Sequence, residues 1–494
     1  MPQVESWVKT RIKEDEIEKY LIDGRDFIDD EEIWEKINEN RNPDRRWIRE
    51  IFDKALRIET LTPDETAALI NLEEEDLIEE MRQVAQNIKK KVYDNRIVTF
   101  APLYLGDYCV NNCLYCGFRR ENRVIRRKVL TDEEIRGETE VLAGEIGHKR
   151  LITVYGEHPS MGVDYIERSL QIIYDTKVKV KNGYGQIRRC NVNAPPLQID
   201  ELKRLVEVGI GTYQVFQETY HHETYVKVHP ENTIKGNYRW RLYSMHRALE
   251  AGVDDVGIGA LFGLYDWRFE VMGLLYHAIE LEKKFGIGPH TVSFPRLEPA
   301  ANTPFVQETR HKVSDKDFEK IILVLRLAIP YAGMILTARE PKEIRDRLVH
   351  YGITQMDAST KIGIGAYSDR YNEQELRRQQ FLIGDTRSLD ELIRDLAKLG
   401  YITSFCTAGY RCGRTGDMIM KLLRTGKEGQ FCKLNAVLTF KEWLLDFGTP
   451  ETQKIGDEII QKELREVKER MPRIYNKLME YYQRIENGER DLFF

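Results

Sequence analysis

The sequence predicts an α/β fold built around a (β/α)8 barrel of the TIM type, with helices before and after it. Two observations predict the barrel: β-rich runs alternate with amphipathic segments between residues 97 and 365, and there are eight such runs. A doubly wound open sheet is the alternative, but no glycine-rich dinucleotide loop follows the first run. The predicted strands are 98–104, 151–155, 187–192, 212–216, 255–260, 291–294, 334–337 and 354–358.

The helical segments carry clear start signals. Thr62, Pro63 and Glu65 form a capping box with proline at the first helical position, and Thr131 with Glu134 forms a second capping box. Helical patterns also fill the chain on both sides of the β-rich region. We therefore predict an N-terminal helical extension (1–95), the barrel (96–370) and a helical C-terminal domain (371–494).

The charge balance argues against two classes of partner. Charged residues make up 32% of the 494 residues, but the net charge is only -6 and no basic arm points to nucleic acid. The basic run at 119–128 is more typical of a solvated face than of an anion site. No run approaches the roughly 18 apolar residues of a spanning helix, and the N-terminus has no apolar signal-peptide core. We therefore predict a cytoplasmic protein without nucleic-acid or membrane partners.

The seven cysteines do not form a disulfide framework, because their number is odd and the chain is long. Six of them fall into two groups, and grouped thiols in a reducing compartment indicate metal before disulfide. Cys190 stands alone and is typical of a small buried apolar residue. The groups are Cys109, Cys113 and Cys116, and Cys406, Cys412 and Cys432.

The first cysteine group lies directly after the first predicted strand, at the catalytic face of a barrel. Spacings of three and two residues place the thiolates of Cys109, Cys113 and Cys116 around one corner of a 4Fe–4S cluster and leave the fourth iron without a protein ligand. That iron can chelate S-adenosylmethionine (SAM) and pass an electron to its sulfonium. A zinc knuckle is the alternative, but it usually needs four ligands in pairs. With Tyr115 before the last cysteine and Gly117 after it, the loop predicts a radical SAM enzyme.

Long runs of the chain resemble one family. The loop CVNNCLYCGF is similar to the radical SAM signature, and its surroundings resemble the tyrosine lyase family. This family contains the FeFe-hydrogenase maturases of the HydG type, to which the resemblance extends from residue 27 to 494, and, more distantly, the 2-iminoacetate synthases of the ThiH type. The runs are NRIVTFAPLY (95–104), GIGTYQVFQETYH (209–221), DDVGIGALFGLYDW (254–267), GPHTVSFPRLEPA (288–300), CTAGYRCGRTGD (406–417), LNAVLTFKEWLLDFG (434–448) and NGERDLFF (487–494).

The resemblance implies a radical SAM barrel and an aromatic amino-acid substrate, usually tyrosine. It implies that a 5′-deoxyadenosyl radical takes a hydrogen atom from the substrate amino group. Cleavage of the Cα–Cβ bond then releases dehydroglycine and, from tyrosine, p-cresol. An electron donor such as ferredoxin or flavodoxin would reduce the cluster.

Tyr115 in the cysteine loop and residues at the ends of the second, fourth and fifth strands are predicted to bind SAM. Glu157, in a loop that resembles the Gly-Gly-Glu loop of the superfamily, is suited to receive the methionine ammonium. Glycines at a strand end let backbone approach an adenine, although they also serve as ordinary turn residues. The predicted SAM-binding residues are Tyr115, Glu157, Gln217, Glu218, Tyr220, Gly257 and Gly259.

Arg339, at the end of the seventh strand, is predicted to bind the substrate carboxylate, because its planar fork matches a carboxylate bidentately. Ser359 and Thr360, at the end of the eighth strand, could add hydroxyl donors or simply cap a turn. Arg296 is a further candidate, with a structural salt bridge as the alternative.

The second cysteine group departs from the family pattern. The maturase-type ligand set is Cys-x2-Cys-x22-Cys, of which Cys406 and Cys432 keep the first and third positions while glycine occupies position 409. Cys412 is a nearby substitute, so the sequence leaves two alternatives: a rearranged second cluster, or a domain that has lost it. His290 stands at a position that the resemblance associates with an extra iron, and it is otherwise an ordinary core histidine.

Overall fold

Eight parallel strands close into a barrel at the centre of the computed structural model, which describes residues 2–369, 374–413, 415–424 and 428–494. The strands are β1 (Arg96–Gly106), β2 (Arg150–Tyr155), β3 (Lys177–Lys179), β4 (Tyr184–Gln186), β5 (Arg189–Asn193), β6 (Tyr213–Gln214), β7 (Val256–Gly259), β8 (Thr291–Ser293), β9 (Gly333–Leu336), β10 (Gln355–Asp357) and β11 (Ile402–Ser404).

The barrel order is β1-β2-β5-β6-β7-β8-β9-β10, and β10 pairs back onto β1, with Val98 opposite Gln355. The predicted (β/α)8 barrel is therefore confirmed, and each of the eight predicted runs contains or overlaps one barrel strand. The sequence pattern did not predict β11, which extends the sheet beside the start of β1, or the antiparallel hairpin of β3 and β4.

Helices surround the barrel and fill both ends of the chain. They are α1 (Pro2–Arg11), α2 (Asp15–Glu18), α3 (Asp30–Glu39), α4 (Arg45–Leu56), α5 (Pro63–Ile70), α6 (Glu75–Tyr93), α7 (Asp132–Glu140), α8 (Val163–Asp175), α9 (Ile199–Val208), α10 (His222–Val228), α11 (Tyr238–Leu242), α12 (Ser244–Glu250), α13 (Trp267–Phe285), α14 (Phe305–Glu308), α15 (Asp315–Ala328), α16 (Lys342–Leu348), α17 (Leu389–Lys398), α18 (Ala408–Arg411), α19 (Gly416–Arg424), α20 (Glu428–Phe447), α21 (Pro450–Arg470) and α22 (Pro472–Glu486).

Both predicted capping boxes are present, at Thr62 and at Thr131. One of the amphipathic segments between the predicted strands, 238–251, forms not one helix but two, α11 and α12. The Ser244 hydroxyl donates to the carbonyl of Arg241 (2.7 Å) and the Arg247 guanidinium donates to that of Trp240 (2.6 Å). Side chains thus bind carbonyls at the point where the helix breaks.

The flanking helices share their apolar core with the barrel. Buried residues from Ile17 to Ile485 form one continuous cluster. At the N-terminal end of the barrel, the buried carboxylate of Glu442 on α20 accepts from Lys149 (2.7 Å) and Arg188 (2.6 Å). The predicted boundary at 370/371 falls outside the described residues, and the three-domain division stays a prediction. Within the described ranges, no helix has the length and apolar character that crossing a membrane requires.

Candidate active site

The carboxyl ends of the barrel strands surround a cavity of about 260 Å³. This is the end of a TIM barrel at which active sites form. Among the residues predicted from sequence, those that line the cavity are Cys109, Cys113, Tyr115, Cys116, Glu157, Glu218, Arg339 and Thr360.

The loop that carries the three thiols is fixed at its start by Gly106. The register between β1 and β2 shifts there, and a Cβ at this position would lie 2.5 Å from the sulfur of Met161, so a larger residue would displace the Met161 side chain. Farther along the loop, the backbone N–H of Val110 donates to the carbonyl of Glu157 (2.8 Å). The cysteine loop and the loop after β2 are therefore held together.

Side-chain amides lie close to two of the three thiols. The side-chain amide of Asn111 is 3.7 Å from Cys109 Sγ, and that of Gln380 is 3.5 Å from Cys116 Sγ. Burial raises the pKa of Cys109 and raises that of Cys113 to about 12. Such thiols become thiolates when a metal replaces the proton. Three thiols from one loop that line the same cavity therefore fit an iron–sulfur cluster that keeps one iron open.

Glu157 is a buried carboxyl with one oxygen unused. Its Oε2 accepts from the Asn111 side chain (2.5 Å), while Oε1 has no hydrogen-bond partner. Burial raises the pKa of Glu157. A Cβ at Gly156 would collide with the carbonyl oxygen of Tyr108, so the turn before this carboxyl requires glycine. An unpaired buried oxygen beside the thiols fits an ammonium donor such as that of SAM.

Glu218 is held as a carboxylate by two cations. Lys235 Nζ is 2.7 Å and the Arg241 guanidinium 3.3 Å from its Oε1. Burial alone would raise the pKa of Glu218, but the two cations lower it overall. The backbone at Glu218 has a φ of 72°, a left-handed conformation that is uncommon for glutamate. Strain of this kind is frequently found at functional sites.

Tyr115 is fixed by a histidine at the cavity wall. Its hydroxyl lies 2.7 Å from His229 Nε2, while His229 Nδ1 lies 3.0 Å from the carbonyl of Tyr225. Because a carbonyl only accepts, Nδ1 carries the proton, and Nε2 accepts from the tyrosine hydroxyl. Tyr115 therefore has its hydroxyl engaged and offers its ring to the cavity.

The Arg339 guanidinium lies 3.3 Å from the centre of the Phe381 ring and makes no hydrogen bond to any residue that the structure describes. Burial lowers the pKa of Arg339, but arginine stays protonated in proteins. Thr360 also faces the cavity, and its hydroxyl donates to Asp357 (2.7 Å). Arg339 is thus a cation available to an anionic ligand.

Five predicted site residues do not line the cavity. Gln217 lies between the cavity-lining Phe216 and Glu218, so the strand alternation directs it away. The Tyr220 hydroxyl pairs with His277 (2.9 Å) in the core. A Cβ at Gly257 or Gly259 would contact neighbouring barrel side chains, which explains these glycines by packing. The Ser359 hydroxyl accepts from the backbone of Leu389 (2.8 Å) and caps that segment.

Arg296 forms the structural salt bridge that was the alternative to a binding role. Its guanidinium donates to Glu340 (2.9 Å) and to Asp315 (2.8 Å). The pKa of Arg296 is raised by these carboxylates despite burial. It is therefore occupied by protein partners.

The second cysteine group lies at the opposite, N-terminal end of the barrel. The carbonyl of Cys406 accepts from Arg150 (3.0 Å), at the start of β2. Cys412 is exposed, with its Sγ 3.5 Å from the carbonyl of Phe494, and Cys432 is buried in α20. His290 precedes β8, with Nδ1 3.7 Å from Asp255. A second metal site from these residues stays a prediction.

Several residues of the site were not predicted from sequence. Asn111 could have been suspected, because it lies between two of the cysteines. Lys235 and Arg241 come from segments well beyond the end of β6, and Glu298 and Gln380 come from loops, where hydrophobic periodicity gives no signal.

The fold and the site together define a radical SAM enzyme. Residues 103–272 match the model of the radical SAM superfamily, and residues 293–402 match that of the biotin and thiamin synthesis associated domain. A cluster with 4Fe–4S composition and SAM are therefore implied for the barrel.

Relatives place the chain more closely. The 2-iminoacetate synthase of Escherichia coli (strain K12) is 32% identical over 325 residues, which cover 65% of this chain and 82% of the synthase. A crystal structure of HydG, a maturase of the FeFe-hydrogenase, superposes with a TM-score of 0.90 at 46% identity, covering 95% of this chain and all of that one. The structure of HydG from Carboxydothermus hydrogenoformans superposes with a TM-score of 0.77 at 39% identity, covering 97% of this chain and all of that one. The chain belongs to the family of radical SAM enzymes that contains HydG and 2-iminoacetate synthase.

Proposed function

We propose that this protein is a radical SAM lyase that cleaves the Cα–Cβ bond of an aromatic amino acid, with tyrosine as the first candidate. The products would be dehydroglycine and p-cresol. The observation that carries this proposal is the cavity itself: the three thiols of one loop and the unengaged guanidinium of Arg339 line the same chamber.

The cysteine loop, Glu157 and Glu218 are assigned to the cluster and SAM. Cys109, Cys113 and Cys116 would hold the 4Fe–4S cluster, which a ferredoxin or flavodoxin would reduce. When bound, the cluster and SAM supply a 5′-deoxyadenosyl radical that takes a hydrogen atom from the substrate. Glu157 would accept from the methionine ammonium through its unpaired Oε1, and Glu218 would accept from ribose hydroxyls.

Arg339 and Thr360 are assigned to the substrate. The guanidinium can bind a carboxylate through two parallel N–H groups, and its position on the Phe381 ring fixes the plane of the fork.

The proposal is tested by incubating anaerobically reconstituted protein with SAM, dithionite and L-tyrosine. We expect p-cresol and 5′-deoxyadenosine in proportion to each other. Formation of 5′-deoxyadenosine without p-cresol would point to another substrate. An intact cluster without any SAM cleavage would show that the protein is a non-catalytic iron–sulfur scaffold.

A second candidate function is the complete maturase reaction, in which carbon monoxide and cyanide are made on iron. The 46% identity with HydG over nearly the whole chain favours it, as do the retained Cys406 and Cys432. Against it, glycine stands at position 409 and the substitute thiol of Cys412 is exposed. Carbon monoxide alongside p-cresol in the same assay would establish this reaction, and p-cresol alone would exclude it.

Iron analysis separates the two functions independently of substrate. Two clusters require about eight irons per chain, decreasing to about four in Cys406→Ala, whereas one cluster gives about four in both proteins. The matched control is Cys190→Ala, which removes a buried thiol that belongs to neither group.

A further inference from the structure

Glu298 is a carboxyl group that no part of the proposed mechanism uses. It lies in the loop after β8 and lines the cavity. No ion pair or hydrogen bond joins its side chain to another residue in the described part of the chain. A carboxylate that faces a cavity without a partner has its acceptor capacity free for a ligand.

Glu298 and Arg339 flank the same wall of the cavity. Arg339 lies on the Phe381 ring, and the N–H of the next residue, Leu382, donates to the carbonyl of Pro299, beside Glu298. Burial and the neighbouring Glu340 raise the pKa of Glu298 to about 7, and Arg339 acts on it in the opposite direction. The two unengaged charges are therefore close enough to influence each other.

The other charged groups around this wall already have protein partners. Asp357 is bound by Arg345 and Thr360, and Glu340 is bound by Arg296. Glu218, across the cavity, is bound by Lys235 and Arg241, and Glu157 keeps the single oxygen assigned above to SAM. Arg339 and Glu298 thus remain as a guanidinium and a carboxyl group that a ligand can bridge.

We propose that Glu298 receives the α-ammonium group of the substrate while Arg339 binds its α-carboxylate. This inference rests on the proposed function in taking the substrate to be an amino acid. The two charged groups of an α-amino acid are attached to one carbon, so adjacent receptors of opposite charge match them. Glu298 then selects zwitterionic amino acids over acids that lack the amino group, and it holds the nitrogen from which hydrogen is to be taken.

The test measures binding to the reconstituted holoenzyme with SAM by anaerobic calorimetry. The probes are the aromatic amino acids L-tyrosine, L-tryptophan, L-phenylalanine and L-histidine, each paired with the arylpropanoic acid that lacks only its amino group. For each amino acid that binds, we expect Glu298→Gln to weaken its binding about tenfold or more, since a charge-assisted hydrogen bond is lost. The paired propanoic acid should bind both proteins within a factor of about two.

Retained propanoate binding also shows that the Glu298→Gln protein is folded. The matched control is Glu308→Gln, a nearby exposed glutamate whose replacement should change neither ligand. Equal weakening of both members of a pair, no weakening of the amino acid, or no binding of any of the four would overturn the inference. Selective weakening with an amino acid other than tyrosine would support Glu298 and contradict tyrosine lyase activity. If Glu298→Gln binds tyrosine as tightly as wild type while the wild-type protein forms p-cresol, the role of Glu298 is contradicted and the tyrosine lyase activity is supported.

Discussion

The two ends of the barrel carry similar residue types in different arrangements. At the carboxyl end, Cys109, Cys113 and Cys116 come from one short loop and face a single cavity. At the amino end, the cysteines are spread from position 406 to 432, and they lie in different environments: partly buried, exposed and buried. A shared residue type therefore does not by itself define equivalent sites.

The charged groups at the two ends differ in the same way. At the amino end, Arg150 donates to Cys406 and Asn191, and the Arg189 guanidinium lies 4.0 Å from the Tyr410 ring centre. At the carboxyl end, Arg339 makes no hydrogen bond among the described residues. Arg150 and Arg189 at the amino end are thus engaged by protein partners, as are Lys235 and Arg241 at the carboxyl end, whereas Arg339 is left for a ligand.

The largest effect is expected from removing one thiol at the carboxyl end. In Cys113→Ala the cluster loses one of three ligands, so SAM cleavage should decrease to background, and the absorption contributed by this cluster should be lost. Cys190→Ala is the control, because this thiol is buried in β5. The measurement is 5′-deoxyadenosine formed with dithionite. Activity comparable to wild type in Cys113→Ala would remove the basis for placing the cluster here.

A second effect is expected at Arg339. Arg339→Gln should raise the KM for the amino acid about 100-fold, because the charged partner of its carboxylate is lost, and Arg339→Lys about tenfold, because the charge stays but the fork does not. Steady-state p-cresol formation measures both. Arg310→Gln, at an exposed arginine, is the control. Equal KM values for wild type and Arg339→Gln would assign the substrate carboxylate to another group.

The barrel was predictable because its strands are short apolar runs at regular spacing, and all eight were located from sequence. The cysteine loop was predictable because its ligands are consecutive in one turn, so their spacing defines their geometry. Strand alternation could also have separated Glu218, which faces the cavity, from Gln217, which does not.

The remainder of the site depends on loops that meet only in the folded chain. Lys235 reaches Glu218 across 17 residues, and Gln380 reaches Cys116 across 264. Such contacts have no local pattern, since they follow from where the barrel places each loop. For the same reason, the sequence left Arg296 as either a substrate-binding residue or a structural salt bridge. Its contact with Glu340 identifies it as a structural salt bridge.

A smaller effect is expected at Glu157. Glu157→Gln keeps an acceptor for the Asn111 amide but loses the negative charge, so the KM for SAM should increase about tenfold while the iron content stays at the wild-type level. Glu223→Gln on α10, an exposed position, is the matched control. The dependence of 5′-deoxyadenosine formation on SAM concentration measures the change. An unaltered KM would mean that the unpaired Oε1 has no part in binding SAM.

The smallest effect on chemistry, and a purely structural one, is expected at the amino end. Arg150→Met leaves the Cys406 carbonyl without this donor and removes one of the two donors to the Asn191 amide oxygen, the other being the backbone N–H of Thr212. The free energy of unfolding should therefore decrease by about 1–3 kcal/mol. SAM cleavage should stay at the wild-type rate, because Arg150 contacts none of the residues assigned to cluster or SAM. Urea unfolding under anaerobic conditions measures the first quantity, with the exposed Arg46→Met as control. If Arg150→Met lost SAM cleavage while its free energy of unfolding stayed unchanged, the amino end of the barrel would take part in the reaction. The two ends would then differ in the chemistry they perform and not only in their structural contacts.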